Sequence, residues 1–167
     1  MRRIPMVAIA LVLITAGCGG SDGPGGTAGD PTKSATPTAT TLIDYGDDGV
    51  IVARAADVAK LTGAPEDFTS FIVADLQRLQ DSKDDVCTEK PEIRVAKVDT
   101  RGWAAGGSFI PQCGGDAALW ARVGGGWREV WTGQTLPDCS VLEKYRFPAP
   151  VAGQECGTAD GKTRKYP

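Results

Sequence analysis

The sequence predicts an α+β fold: one main helix packed on a small antiparallel sheet of about four to five strands, clasped by two disulfides. Three observations carry this. Between Pro65 and Leu79 the apolar residues Phe68, Phe71, Ile72, Leu76 and Leu79 recur at helical spacing. Beyond residue 91 the pattern changes to short runs rich in Val, Ile and Trp, separated by glycine-containing turns. Cys87, Cys113, Cys139 and Cys156 are spread through the same region, an even number suited to bridging.

The chain opens differently. Arg2 and Arg3 precede an uncharged apolar run from Ile4 to Ile14, and the small residues Ala16 and Gly17 lead into Cys18. That is the shape of a secretory signal peptide. The run is roughly a dozen residues, whereas a membrane-crossing helix needs about 20. In this order of features the chain resembles bacterial lipoprotein precursors, whose lipobox places small residues before an invariant cysteine; Thr15 stands where that family usually has Leu. The resemblance implies that Cys18 receives a diacylglyceryl group and that the Gly17–Cys18 bond is cleaved, removing residues 1–17. Two acyl chains give stable anchoring, each buried methylene contributing about 0.8 kcal/mol. The mature protein is thus expected on the extracytoplasmic face of the cell membrane, held there through covalent lipid.

Residues 18–41 comprise the lipidated start and a linker of Gly, Ser, Pro, Thr and Ala, which cannot bury enough apolar surface to offset its ordering entropy. About 22 such residues span roughly 25 to 30 Å as a flexible coil. Thr36, Thr38, Thr40 and Thr41 beside Pro37 admit O-linked sugar, although plain linker threonines are the simpler reading. The composition, rich in Ala and Gly with a Thr/Pro linker, is similar to that of small lipoproteins of high-GC Gram-positive bacteria. Residues 42–157 are expected to form one extracytoplasmic domain, long enough for a real core, and residues 158–167 a flexible tail.

Composition closes several chemistries. The chain has no His and no Asn, which removes Ser-His-Asp, Cys-His and His-ligated zinc sites together with any N-glycosylation acceptor. The net charge is −3, and it becomes more negative once Arg2 and Arg3 leave with the leader, so no basic stripe for nucleic acid is present. No metal or other cofactor is expected. Asp44, Asp48 and Gly49 match three positions of a calcium loop, but its twelfth position is Ala55 where a bidentate Glu is required. A turn leading into a short strand is the better reading of 42–52.

Ala53 to Leu61 suits a short helix ended by Gly63. Pro65, Glu66 and Asp67 suit the start of the main helix, and the charge run 81–85 suits its end. Glu92–Asp99 and Trp103–Ile110 read as a hairpin around Thr100-Arg101-Gly102, and the break in alternation at Val95-Ala96 marks a bulge. Pairing across that hairpin brings Cys87 opposite Cys113, which leaves Cys139 for Cys156; loops of this size gain roughly 3 kcal/mol each on bridging.

Ala117–Val123 and Trp127–Thr132 flank Gly124-Gly125-Gly126 as a second hairpin. Three turn residues would set Trp127, Glu129 and Trp131 on one face and Arg122 against Arg128, an unfavourable pair unless the register shifts by one. The region from Leu136 to Cys156 reads as a proline-rich wrap with a short helix near 140–145. Trp127 and Trp131 flanking Glu129 could form a ligand face for sugar rings, although both rings filling the core beneath the helix is the simpler reading. No catalytic residue is identified. The expected function is a non-catalytic binding or protein-interaction domain with an envelope protein or glycan as partner. An envelope carbohydrate-binding module using the Trp127/Trp131 face, or a His-free acid/base hydrolase, are the alternatives.

Overall fold

A computed structural model describes residues 40–82 and 86–167; the leader, Cys18 and most of the linker lie outside them. Helix and antiparallel sheet are mixed as expected, with two disulfides. The main sheet is larger than the four to five strands anticipated. It has six: β1 (Leu42–Asp44), β2 (Val50–Val52), β3 (Glu92–Asp99), β4 (Trp103–Ile110), β5 (Gly114–Val123) and β6 (Gly126–Gly133). Strands β3 to β6 pair in sequence order, while β1 and β2 share the outer edge of β3. The segment 42–52, read as a turn before one strand, is therefore two three-residue strands around a turn. Asp44 Oδ1 accepts a hydrogen bond from Gly46 N (2.9 Å), closing that turn locally. Order also starts slightly before residue 42, since Thr41 O accepts from Thr100 N at 2.9 Å.

The main helix, α1, spans Glu66–Asp81. Pro65 precedes it and two carboxylates occupy its first turn, where the free backbone N–H groups are positive. Phe68, Ile72 and Leu76 are buried against the sheet, with Phe71 and Leu79 half-buried at the margins, as the periodicity dictates. At the far end Gln80 Nε2 donates to Ala53 O (3.0 Å) and Pro91 O (2.9 Å), tying the helix to the approaches of β2 and β3. The short helix expected from Ala53 is a 3₁₀ helix, Ala55–Lys60.

Two bulges decide which side chains face this helix. In β3 the register shifts between Val95 and Lys97. Side chains alternate along a strand, so one extra residue reverses the parity, and Ile93, Val95 and then Val98 all reach the helix-side core. In the second hairpin the turn is Gly124-Gly125, both at positive φ (62° and 87°), with Val123 paired to Gly126. Arg122 then sits beside Trp127, and Arg128 beside Ala121. The anticipated clash of Arg122 with Arg128 is removed by this one-residue shift, and Arg122 instead ion-pairs with Asp67 of α1.

The opposite face of the sheet is covered by the chain beyond Leu136. The wrap anticipated there contains two short helices, α2 (Cys139–Tyr145) and α3 (Ala149–Ala152). Leu142, Phe147, Val151, Cys139 and Cys156 pack with Leu119 and Ala121 in a second core. Trp103 Nε1 donates to Tyr145 O (2.7 Å) and Lys97 Nζ to Pro150 O (3.1 Å), attaching this strap to β4 and β3. The tail expected to be flexible is ordered instead: β7 (Glu155–Gly157) pairs with β8 (Thr163–Lys165). The Tyr166 hydroxyl lies 3.1 Å from Leu142 O and 2.9 Å from Phe147 O, so the C-terminus closes back on α2. A lone tyrosine in a polar run carries no periodic signal, which is why composition suggested fraying.

Candidate functional site

The tryptophan face does not assemble. Leu119 pairs with Trp131, but Trp120 pairs with Glu129, so the register shifts between them and Val130 is the extra residue. The bulge reverses parity, and Trp127 and Trp131 point to opposite sides of the sheet. Trp127, 7% exposed, lies in the helix-side core with its ring edge-on to Phe68 at 4.7 Å between centroids. Trp131 packs half-buried on the strap side. Trp120, 1% exposed, meets Phe68 from another direction at 6.2 Å. Neither Trp127 nor Trp131 is therefore free to stack with its partner on a shared sugar. Glu129, on the helix side, keeps part of its surface in solvent. Partial burial first, then the like charge of Asp75, push its carboxyl above the usual carboxylate range, with Arg78 opposing. Asp75 itself is buried, and its Oδ1 accepts from Arg78 Nε (2.9 Å) and Nη2 (2.6 Å). Neither carboxylate lines the cleft described next.

That cleft, about 600 Å³, lies on the strap side of the sheet, on the part that the strap leaves bare. The register places Ile51, Arg94, Gly107 and Ala117 in one row across β2, β3, β4 and β5. The next rows toward the other end carry Ala105, Leu119 and Trp131, which the strap buries. Gly107 and Ala117 make the floor, Phe109 and Ile51 the apolar walls, and Arg94 and Asp48 the rim. The bare floor is enforced by the backbone. A Cβ on Gly107 would lie 2.3 Å from Asp116 O, and one on Gly115 would lie 2.3 Å from Ser108 O and 2.4 Å from Phe109 Cβ. Arg94 and Asp48 are exposed, and neither side chain has a hydrogen bond or ion pair within the described residues. The other buried carboxylates are committed: Asp57 to Lys60 (2.9 Å), and Asp99 to Arg101, whose guanidinium and backbone N–H hold its carboxyl below the usual range.

Sequence reasoning missed this site because it looked for rings rather than for their absence. The available signal was the paired glycines, Gly106-Gly107 and Gly114-Gly115, within runs otherwise read as strand or turn. Among the described residues no group of three or more His, Cys, Asp or Glu side chains is placed to hold a metal ion, and no helix is long and apolar enough to cross a membrane. Cys87 is bonded to Cys113 and Cys139 to Cys156. No family model, curated protein or solved structure matches the chain.

Proposed function

We propose that the protein is an exported lipoprotein: a domain braced by two disulfides, carried by lipid on Cys18 at the outer face of the cell membrane, and acting there by binding rather than catalysis. The observation that carries this is the disposition of the cysteines. The chain has five, and the Cys87–Cys113 and Cys139–Cys156 bridges use four, leaving Cys18 as the remaining thiol at the end of an apolar leader. Bridges of this kind persist in oxidising compartments outside the cytoplasm. The binding role is supported by the cleft, whose rim charges have no partner among the described residues and whose floor excludes a side chain at Gly107 and Gly115.

Fractionation of the native host tests the anchoring. Wild-type protein is expected in the membrane fraction and open to protease added outside intact cells. Cys18→Ser is expected to keep its leader or to leave the membrane. If Cys18→Ser fractionates and is processed like wild type, the reading fails.

A further inference from the structure

We infer that the strap-side cleft is a glycan site, taking a neutral pyranose ring on the floor of Gly107 and Ala117 with its less polar face toward Phe109. The inference rests on the domain being an extracytoplasmic binding module. It follows from four properties of the cleft together.

The floor is main chain and a methyl group, and the geometry forbids anything larger at Gly107 or Gly115, so a flat ligand can approach the sheet closely. The walls are apolar: Phe109 presents an aromatic surface and Ile51 an aliphatic one. The C–H groups on one face of a pyranose match such a surface, because an aromatic face is electron-rich and attracts the positive edges of a ligand. The rim carries one donor group, Arg94, and one acceptor group, Asp48, neither with a partner among the described residues. Arg94 offers N–H groups to ring or hydroxyl oxygens, and Asp48 accepts from hydroxyls.

The charges also discriminate. Of the three charged lining residues, Asp116 alternates with Gly115 and Ala117 along β5, so its side chain belongs to the other face near Glu129; Arg94 and Asp48 remain at the rim as one charge of each sign, so neither an anionic nor a cationic ligand is favoured as a neutral polyhydroxylated one is. The volume, about 600 Å³, lies within the range of small-ligand sites. A buried disulfide holds the adjoining strap in place, with Cys139 5% and Cys156 0% exposed, so the uncovered end of the sheet is part of the fold.

The test uses the full mature chain in detergent, applied to immobilised neutral oligosaccharides of hexose and N-acetylhexosamine units, with uronic-acid oligosaccharides of equal length as the charge control. Neutral oligosaccharide should be retained, and uronic-acid oligosaccharide at least tenfold less. Ala117→Leu, which fills the trough from an exposed floor position, should reduce retention at least tenfold. Asp48→Ala, on an exposed turn, should reduce it severalfold. Amide resonances of Gly107, Gly115 and Ala117 should shift on titration with the retained sugar, a readout independent of variant folding.

Failure of wild type to retain any neutral oligosaccharide overturns the inference. So does retention that Ala117→Leu leaves unchanged with no shift at those three amides, preference for the uronic acids, or capture through this cleft of an envelope protein alone. None of these outcomes touches the lipidation of Cys18, which the fractionation decides separately.

Discussion

On one side of the sheet, Phe68, Ile72 and Leu76 of a 16-residue helix meet Ile93, Val95 and Trp120; on the other, Leu142, Phe147 and Val151 come from a strap of two short helices. The helix side is held by apolar burial along continuous elements. The strap side is held by a disulfide, by Tyr166 and Trp103 hydrogen bonds to the backbone, and by a smaller apolar cluster. A helix of four turns covers its face by length alone. A strap covers only what its anchors reach, and the remainder of that face becomes the cleft. The division between closed and open surface therefore comes from how each face is covered, since both belong to the same strands.

The largest expected effect falls on the helix side. Phe68→Ala removes the ring that both Trp120 and Trp127 contact, and should lower stability by about 3–5 kcal/mol in urea titrations followed by tryptophan fluorescence. Sheet and strap should unfold together, because the strap has no core without Leu119 and Ala121 beneath it.

Replacing both Cys139 and Cys156 by Ser should cost about 3 kcal/mol, and locally. Hydrogen exchange should accelerate through α2, α3, β7 and β8, while the central strands stay protected. Equal loss of protection on both faces would mean that strap and helix are not separately held.

Asp99 sharpens it at the sheet's turn. The Arg101 hydrogen bonds hold its folded pKa below the ordinary 3.8, so its stabilising contribution is full above that value and is lost as pH falls through the lower folded one. Asp99→Asn should therefore cost about 1–2 kcal/mol at neutral pH, and the gap to wild type should narrow in acid-unfolding curves below pH 3.8.

The smallest effect belongs to Glu129. Burial and Asp75 raise its pKa above 4.5, so its contribution is most favourable below that value and diminishes as pH rises through the folded one. Glu129→Gln should leave stability equal or higher by up to about 0.5 kcal/mol at neutral pH, with the difference vanishing in acid, as thermal melts at two pH values would show.

How far the sequence foretold this can be read from particular residues. The helix was legible because five apolar side chains repeat at its own period, and the first hairpin because Gly102 and the flanking Val and Ile runs bracket it. The Ala96 bulge was legible as broken alternation. The bulge at Val130 was not, since every residue from Trp127 to Thr132 fits an unbroken strand equally well; the two-residue Gly124-Gly125 turn, the Arg122–Asp67 pair and the packing of Trp120 and Trp127 on Phe68 go with the observed register. The wrongly shared tryptophan face follows directly from that. The order of the tail beyond Gly157 escaped because it depends on long-range hydrogen bonds from the Tyr166 hydroxyl to the Leu142 and Phe147 carbonyls and on the β7–β8 pairing. The cleft escaped because its defining residues are glycines, which leave no side chain to notice.

The intact mass of the protein extracted from its host membranes tests the central claim most directly. A lipid-anchored, doubly bridged protein begins at Cys18, heavier by its acyl groups and lighter by the four hydrogens lost in forming two disulfides. A chain that keeps residues 1–17, carries no acyl mass, or alkylates at Cys87, Cys113, Cys139 or Cys156 without prior reduction would contradict that claim.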